Sequence, residues 1–529
     1  MSYSMAPQAP SDDGRLAYKW RVLITVVFGI FMVILDSTVV NVAFQTLRRE
    51  FGASLNDSHW IISVYVLALG IGTPLAGYLA DRFSIKRVYI TGLGLFVLGS
   101  FLCGIAPNLW LLIAARILQG FGGGIATPLG PALLFSAFPV NEQGKALGFF
   151  GIALVVAPAL GPILGGWLVD HDLWRWIFFI NIPIGLLGMT LASRWLRRRD
   201  SDRRPRLDVV GLIVGVIGIS SILYASSIAS DQGWQSLPVM VGFAVGAIGL
   251  AAFAVVELFF AKEPLLDLRL FQNRIFLNAS FVGYVSVLAL FGAEFLMPVY
   301  LQALRGLTAL QAGIILLPMA IASGITTPIA GNLYDKVGPR PIIVFGFSIL
   351  AINTWQLAQI RPDTSVAWIM FLLFLRGIAV GSTVQTTLVT ALSPVPTPKI
   401  ARASSLLNSS RQIVQAVGVA VLATVLASTL SPQIRALQTQ MQDMPQVANV
   451  AQVGICQPAP AQIPAAIAGL MQQACNEQIA GFERAYTVTF FAALAALIIG
   501  AFLPGWPLKW AGRRAGAGES QRPPVTAGH

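Results

Sequence analysis

Two ionisable residues lie inside long apolar runs of the sequence, where an unpaired charge is costly. Asp36 falls in the run 21–44, and Arg116 falls in the run 109–136. A charge at the centre of a bilayer costs roughly 2.5–3.5 kcal/mol on insertion scales, so each residue needs a partner or a task. An aspartate that faces a water-filled cavity can exchange a proton, and a nearby arginine can hold it charged in one conformation only. The two residues therefore predict a proton-coupling site; the alternative is a static ion pair that only orients helices.

Glu294 is a second carboxylate of this kind, in the run 276–301. Phe291, Phe295 and Met297 are its neighbours, so it is one acid in a wide apolar wall. Such a wall predicts either a binding site for an organic cation or a second proton site. The alternative is an acid at the membrane surface, since Glu294 lies toward the outer end of its run. Weaker candidates for the substrate cavity are Asn41, Asn408 and Arg411.

The composition places these residues in a membrane. Of 529 residues, 56% are hydrophobic and 11% are charged, whereas about a quarter of the residues in soluble domains are charged. The apolar runs have the length of membrane-spanning helices, about 20 residues, and not of the roughly 10-residue strands of an outer-membrane barrel. We therefore expect an all-α polytopic membrane protein whose first run is a retained span and not a signal peptide. Fourteen spans are predicted, near 21–44, 59–80, 88–106, 109–136, 144–168, 176–196, 208–229, 237–260, 276–301, 310–333, 341–360, 366–390, 403–428 and 485–508.

The net charge of +12 follows the same topology. Seven arginines lie in "RWLRRRDSDRRPR" (194–206), and counting spans puts this loop on the same side as the other cationic loops. Because cations concentrate on the cytoplasmic side of membrane proteins, we expect these loops and both ends of the chain to be cytoplasmic. No soluble domain is predicted that would present the charge to a nucleic acid. The other cationic segments are 81–87, 334–340, 391–402 and the tail containing "KWAGRR".

An internal repeat organises the chain. "GYLADRFSIKR" (77–87) returns as "GNLYDKVGPR" (331–340), 254 residues or about eight spans later, and Arg116 and Arg376 are also eight spans apart. Two six-helix bundles with two extra central helices explain this offset, and a binding site is then expected between the bundles. The predicted segments are an N-terminal tail 1–20, a bundle 21–196, an arginine-rich linker 197–207, two extra helices 208–260, a linker 261–275, a bundle 276–508 that contains an outer loop 429–484, and a tail 509–529.

Each repeated phrase predicts one part of a gate at the cytoplasmic face. A glycine lets two helices approach closely, and an aspartate can cap the next helix or pair with an arginine. The remaining cations can form ion pairs or bind lipid phosphates, and such bonds can break when the face opens. The alternative is a pair of loops whose cations only set the topology. The gate residues are Gly77, Asp81, Arg82, Lys86, Arg87, Gly331, Asp335, Lys336 and Arg340.

The chain resembles the major facilitator superfamily, and within it the 14-span drug:proton antiporters of the EmrB/QacA-like branch. "GYLADRFSIKR" is similar to the superfamily's motif A, with Ser84 where a glycine is usual. The resemblance covers roughly residues 20–510 and has several motifs in order. The other matching segments are "LDSTVVNVAF" (35–44), "RILQGFGGG" (116–124, motif B), "GIALVVAPALGPILGGWL" (151–168, motif C), "WRWIFFINIPIG" (174–185) and "LQALRGLTALQAGIILLP" (301–318).

The resemblance implies roles for these motifs. It assigns proton coupling to the first-span and motif B regions, and it assigns gating of the outer side to motif C. Glycine and proline in motif C also free a helix to bend and to pack closely against a neighbour. The motif C residues are Gly151, Pro158, Gly161, Pro162, Gly165 and Gly166.

The loop 429–484 is too long to serve only as a connection. Cys456 and Cys475 lie in it and can form a disulfide on an oxidising face, although two free cysteines are the alternative. Apolar residues at near-helical spacing predict a short amphipathic helix within 465–485. We expect an ordered element that docks a periplasmic adaptor, a partner that the resemblance implies together with an outer-membrane channel. A solvated loop is the alternative.

Together these observations predict a proton-coupled antiporter in the inner membrane that exports amphipathic or lipophilic compounds. The alternatives are an exporter of one endogenous metabolite or siderophore, or a membrane sensor or scaffold that transports nothing. No Walker motif occurs, and the three histidines have no metal-ligand spacing. We therefore expect no enzyme activity and no cofactor, with the proton gradient as the driving force.

Overall fold

The computed structural model describes residues 16–198, 206–261, 263–431, 433–434, 455–457 and 465–505, and this part contains fifteen α-helices. The first seven are α1 (Tyr18–Glu50), α2 (Leu55–Phe83), α3 (Ile85–Gly104), α4 (Leu109–Ala137), α5 (Gln143–Asp170), α6 (Trp176–Phe179) and α7 (Asn181–Trp195). Two follow in the middle, α8 (Val209–Gln232) and α9 (Leu237–Val255). The last six are α10 (Arg274–Val299), α11 (Ala309–Val337), α12 (Pro339–Leu357), α13 (Val366–Leu392), α14 (Ile400–Ser428) and α15 (Ala465–Gly500).

Side-chain caps explain where several of these helices begin. Asn108 accepts a hydrogen bond from the backbone N–H of Leu111 at the start of α4. Thr308 and Gln311 form a reciprocal capping box at the start of α11. Such caps satisfy backbone N–H groups that lack a partner within the helix. In a bilayer this matters more than in water, because no solvent is present to bind an unpaired backbone group.

The helices form two bundles that meet along a central interface. Helices α1–α7 contact one another in the first bundle, and α10–α15 do so in the second. The bundles meet where α5 contacts α11 and α13, and where α14 contacts α2 and α4. The extra helices α8 and α9 pair with each other, and α8 packs against both α2 and α14. This arrangement confirms the predicted fold class, an all-α membrane protein with two helical bundles and two extra central helices.

Glycines of α4 account for the tight packing of the first bundle. A Cβ added at Gly120 or Gly124 would overlap a backbone carbonyl oxygen of α2, at Tyr65 and Leu69. A Cβ added at Gly122 would lie 2.5 Å from the backbone nitrogen of Phe96 on α3. Small residues at helix contacts let backbones approach closely, which is how helices associate in membranes. The glycine-rich phrase 116–124 is therefore a packing surface for two neighbours.

Twelve helices in the described part are long and apolar enough to cross a membrane. The predicted spans near 276–301 and 341–360 fall on α10 and α12, which are not among these twelve. The count of fourteen spans therefore stays a prediction. So do the segment boundaries predicted from the sequence.

The last helix differs from the prediction. The sequence predicted a short helix within 465–485 and a separate span at 485–508, whereas α15 is one helix from Ala465 to Gly500. The segment contains no proline, and its alanine, leucine, glutamine and glutamate residues favour helix. Nothing in the sequence therefore stops the helix at the membrane boundary. The five prolines between 432 and 464 lie outside the described residues.

Candidate functional site

Asp36 and Arg116 form a buried ion pair inside the first bundle. Arg116 Nη1 lies 2.6 Å from Asp36 Oδ2, and both side chains are at most 1% exposed. Asp36 lies on α1 and Arg116 lies on α4, at a level where apolar residues of both helices enclose them. In this conformation Asp36 is therefore buried, whereas the interpretation from the sequence was an aspartate that faces a water-filled cavity. A burial this complete favours hydrogen-bonded partners over solvent.

Two amide side chains complete the site, and neither was predicted from the sequence. Gln119 Nε2 donates to Asp36 Oδ1 at 2.7 Å, and Asn181 Nδ2 donates to the same oxygen at 2.8 Å. Gln119 also accepts a hydrogen bond from Arg116 Nη1 at 2.6 Å, and its Nε2 lies 2.6 Å from Ser100 Oγ. The spacing of Gln119 three residues after Arg116 was a usable signal, because it puts both on one helix face. Asn181, at the start of α7, gave no such signal.

The guanidinium group of Arg116 has two further contacts, both from α2. Its Nε donates to the carbonyl oxygen of Ile61 at 3.2 Å. Its Cζ lies 3.9 Å from the centre of the Tyr65 ring, a cation–π contact. Removing one partner of a buried ion pair typically costs about 3–5 kcal/mol, because the other charge is left uncompensated. This network, which we call the Asp36 site, joins α1, α2, α3, α4 and α7.

Arg376 is the repeat counterpart of Arg116 and has different partners. It is fully buried on α13, and its Nη2 donates to the carbonyl oxygen of Ala289 at 2.7 Å. Its Nη1 donates to Thr354 Oγ1 at 3.3 Å. The repeat therefore reproduces the buried arginine, and two of its contacts are a backbone carbonyl and a threonine hydroxyl.

The two repeated phrases lie together at one end of the molecule. We call it the charged end after the charged residues of the phrases, and it contains the turns at Ser84 and Gly338. Asp81, near the end of α2, accepts a hydrogen bond from Arg402 Nε at 2.5 Å. Arg402 belongs to α14 of the other bundle. A Cβ added at Gly77 would lie 2.9 Å from Arg402 Cα. Gly77 thus permits close approach of the bundles, and Asp81 pairs with an arginine 321 residues further along the chain.

The second phrase makes the matching contact on the other side of the interface. Asp335, near the end of α11, accepts hydrogen bonds from the backbone N–H groups of Gly144 and Lys145, both at 3.0 Å. These groups open α5, so the carboxylate caps that helix and lies at the positive end of its dipole. A Cβ added at Gly331 would overlap the carbonyl oxygen of Gly144. Each phrase therefore holds the first turn of a helix in the opposite bundle.

The remaining cations of the two phrases have contacts outside the interface between the bundles. Lys86 Nζ donates to the carbonyl oxygens of Ser193 and Leu196, both at 2.6 Å, and thereby caps the end of α7. Arg82 Nη1 donates to the Tyr78 hydroxyl at 3.1 Å. The backbone N–H of Arg340 donates to the carbonyl oxygen of Pro504 at 3.2 Å. The side chains of Arg82, Arg87 and Lys336 are exposed.

The linker that follows the extra helices reaches the same contact. Arg402 Nη1 donates to the carbonyl oxygen of Pro264 at 3.0 Å, so one guanidinium binds both α2 and the linker. Lys399 forms an ion pair of 2.8 Å with Asp267. Glu257, which is buried at the end of α9, accepts a hydrogen bond from the backbone N–H of Leu265 at 3.0 Å. The central insertion is therefore tied to the charged end and not only to lipid.

Motif C packs on two sides of α5. A Cβ added at Gly161 would overlap Thr38 Oγ1 of α1, and one at Gly165 would lie 3.2 Å from the carbonyl oxygen of Val39. A Cβ added at Gly151 would lie 2.7 Å from Gln385 Cγ on α13, and Pro162 lies against Gly313 of α11. These residues let α5 pack closely against α1 of its own bundle and against α11 and α13 of the other bundle. Pro158 and Pro162 lie inside a continuous α5, and Gly166 lies near the backbone of Leu310.

The predicted substrate residues whose side chains are described lie in different surroundings. Met297 is fully buried and packs with Leu296 and Tyr300 in an apolar core of the second bundle, so it does not line an open wall. Asn41 is exposed on α1, and Asn408 Nδ2 donates to the carbonyl oxygen of Ser404 on its own helix. Arg411 lies on α14 against α10. The side chains of Phe291, Glu294 and Phe295 lie outside the described residues, although their backbone belongs to α10.

A disulfide joins Cys456 and Cys475 at the end opposite the charged end, with a Cα–Cα distance of 5.0 Å. The backbone N–H of Cys456 donates to the carbonyl oxygen of Leu304 at 3.0 Å. The covalent bond therefore fixes residues 455–457 between α10 and α15. Among the described residues, no group of three or more His, Cys, Asp or Glu side chains is placed to hold a metal ion.

Two helical bundles that meet at a central interface, with twelve helices of membrane-spanning length, define a multi-pass membrane protein. The sequence model of the Major Facilitator Superfamily matches residues 26–419. The chain therefore belongs to the Major Facilitator Superfamily and is a transporter. The resemblance seen in the sequence is thus confirmed.

Three curated relatives cover about three quarters of the chain. The chain is 35% identical over 403 residues (76% of each protein) to the uncharacterized MFS-type transporter YhcA of Bacillus subtilis. It is 34% identical over 392 residues (73% of this chain, 76% of the relative) to the multidrug export protein EmrB of Haemophilus influenzae. It is 33% identical over 398 residues (74% and 73%) to a multidrug resistance protein B homolog of Mycobacterium tuberculosis.

The fold is also similar to a solved structure of the superfamily. The structure of the proton:xylose symporter XylE matches 92% of this chain and 96% of its own, with a TM-score of 0.59 and 13% identity. At this identity the likeness concerns the fold alone.

Proposed function

We propose that the protein is a proton-coupled antiporter that exports amphipathic or lipophilic small molecules by alternating access. The observation that carries the proposal is the Asp36 site, a titratable carboxylate buried with a permanent cation inside a transporter bundle. Multidrug exporters among the relatives support the export of drug-like compounds. The charged end is then cytoplasmic, the membrane is the inner membrane of the cell, and both ends of the chain are cytoplasmic.

The coupling step uses the contacts of Asp36. In the present conformation Arg116, Gln119 and Asn181 hold the carboxylate with three hydrogen bonds. A movement of α1 against α4 or α7 removes some of these donors and opens the carboxylate to a proton. The proton then enters from the outer side and leaves to the cytoplasm after the charged end has opened. Proton transfer and bundle movement are coupled because one charge controls both.

The charged end supplies the inner gate in this proposal. The Asp81–Arg402 ion pair and the Asp335 cap on α5 hold the two bundles together on the cytoplasmic side. Both must open when the inner side admits substrate. The glycines of the two phrases allow the contact to close without steric conflict. On the outer face, the element held by the Cys456–Cys475 disulfide is proposed to contact a periplasmic adaptor and, through it, an outer-membrane channel.

Purified protein in liposomes tests the proposal. With an imposed proton gradient and a panel of fluorescent amphipathic dyes, we expect dye flux in one direction and proton flux in the other. Asp36→Asn should abolish the gradient-driven flux but leave passive dye exchange. Glu483→Gln is the matched control, since it removes an exposed carboxylate whose nearest arginine atom is 3.9 Å away. Equal gradient-driven rates in wild type and Asp36→Asn would contradict the proposed proton site. The absence of dye flux in wild type would contradict the proposed antiporter function.

A further inference from the structure

Arg411 carries a positive charge near the middle of α14, and no acid among the described side chains neutralises it. A Cβ added at Gly283 of α10 would lie 3.1 Å from its Nη2 atom, which places the guanidinium between these two helices. Its Nε is buried and has no hydrogen-bond partner in the described part of the chain. No acidic side chain in that part forms an ion pair with it. A charge inside a membrane protein is costly, so an unpaired arginine here requires a partner that is not a described side chain.

Two glutamines lie near the same level, where the bundles meet. Gln412, the next residue of α14, donates through Nε2 to Thr73 Oγ1 of α2 at 3.1 Å, while its buried Oε1 has no partner in the described residues. Gln385 of α13 lies against Gly151 of α5, and neither its Oε1 nor its Nε2 has a partner there. Buried amides are normally hydrogen-bonded. Their unused groups indicate a polar ligand or water at the interface.

The depth of these residues places them inside the membrane. Each of Gln385, Arg411 and the facing residues Thr73, Gly151 and Gly283 lies between seven and eleven residues from the charged end of its helix. At a rise of 1.5 Å per residue this corresponds to about 10–17 Å. Substrate sites of transporters built from repeats lie at this depth, between the bundles. The Asp36 site lies within the first bundle and is separate.

Glu294 lies too far along α10 to provide the counter-charge for Arg411. It lies eleven residues from Gly283 on α10, which is about 16 Å along the helix axis. Within the described part of the chain, Arg411 therefore has no acid as an ion-pair partner. A guanidinium donates up to five hydrogen bonds in a planar fork that fits carboxylates and sulfonates, and it repels cations that enter the same site.

We propose that the site between the bundles binds amphipathic organic anions, with the carboxylate or sulfonate held by Arg411 and its other polar groups held by Gln385 and Gln412. The proposal rests on the proposed export function and adds its substrate class. The apolar body of the substrate then lies against the helices that surround the interface.

Two dyes that differ by one group test the charge preference. 8-Anilinonaphthalene-1-sulfonate carries a sulfonate, and N-phenyl-1-naphthylamine has the same rings without it. Flux of each is measured in proteoliposomes with an imposed proton gradient, for wild type, Arg411→Gln and Arg411→Lys. Arg484→Gln is the control, because it removes a cation from an exposed position of α15. Insertion and monodispersity are checked for each variant.

We expect Arg411→Gln to lower sulfonate flux about tenfold or more, the change that the loss of one charge-assisted hydrogen bond produces. Flux of the uncharged dye should stay within about twofold, and Arg411→Lys should restore part of the sulfonate flux, since it keeps the charge and loses the fork. An equal fall for both dyes would show a structural role and overturn the proposal. The cationic dye ethidium is measured as a third compound. A wild type that moves the uncharged dye or ethidium, but not the sulfonate, would also overturn the proposal. If the wild type moves none of these three dyes, the proposed export function itself is wrong.

Discussion

Ser84 and Gly338 both have a positive φ, of 88° and 81°, at matching positions of the two repeats. Each lies seven residues after the glycine that contacts the opposite bundle, and each ends one helix and begins the next. Glycine adopts this conformation at no steric cost, whereas serine does not. The buried Ser84 Oγ has no hydrogen-bond partner in the described residues to offset the strain. One repeat therefore carries strain that the other avoids.

Ser84→Gly should stabilise the protein. A residue other than glycine in a sparsely populated φ/ψ region costs roughly 1–3 kcal/mol, and the greater unfolded-state freedom of glycine offsets up to about 1 kcal/mol of this. We expect a higher melting temperature in detergent for Ser84→Gly and a lower one for Gly338→Ser, by a comparable amount. Unchanged melting temperatures in both variants would contradict the strain that the φ angles indicate.

The Asp36 site should separate coupling from stability. Asp36→Asn leaves the buried Arg116 uncompensated, so we expect a loss of roughly 3–5 kcal/mol in stability together with the loss of coupling. The double variant Asp36→Asn, Arg116→Gln removes both charges and should recover most of the melting temperature but none of the proton-driven flux. A double variant that regains proton-driven flux would show that the pair only orients helices.

The Asp81–Arg402 ion pair should control opening of the charged end. A reporter cysteine at Ser405, in a background without Cys103, is labelled with a membrane-impermeant maleimide added on the cytoplasmic side. The ion pair is partly exposed, so Asp81→Asn or Arg402→Gln should raise the labelling rate about fivefold, which corresponds to roughly 1 kcal/mol.

The double variant tests the pairing itself. It should add little to either single change, because both remove the same interaction. Asp335→Asn should have a smaller effect, since asparagine keeps an oxygen that can accept from the first turn of α5. Rates that multiply in the double variant, or labelling that stays at the wild-type rate in every variant, would contradict the gate.

Two glycines of α11 provide a matched test of helix approach. A Cβ at Gly331 overlaps the backbone of Gly144, which cannot move without parting the bundles, whereas a Cβ at Gly324 meets no atom within 4 Å. Gly331→Ala should therefore lower both transport turnover and melting temperature. Gly324→Ala should leave turnover unchanged and raise the melting temperature slightly, since alanine favours helix by up to about 1 kcal/mol. If both variants have the same turnover and the same melting temperature, the close contact between Gly331 and Gly144 is not needed for transport.

Local patterns in the sequence determined the fold class, the repeat and the charged residues worth testing. Apolar run length reports membrane helices because the bilayer has a fixed thickness. The recurrence of Gly77 and Asp81 as Gly331 and Asp335 was visible without coordinates. Asp36 and Arg116 stood out because charges are rare inside apolar runs. Each of these signals is contained in one segment or in a simple repeat of it.

Only the tertiary structure decided which side chains meet. The partner of Asp81 is Arg402, and the partners of Asp36 include Asn181, 145 residues away. Such contacts depend on how far each helix is rotated about its axis and on how the two bundles dock, and no single segment of sequence contains that information. The surroundings of Arg411 are of the same kind, because only the packing of the helices shows that its buried Nε has no hydrogen-bond partner among the described residues.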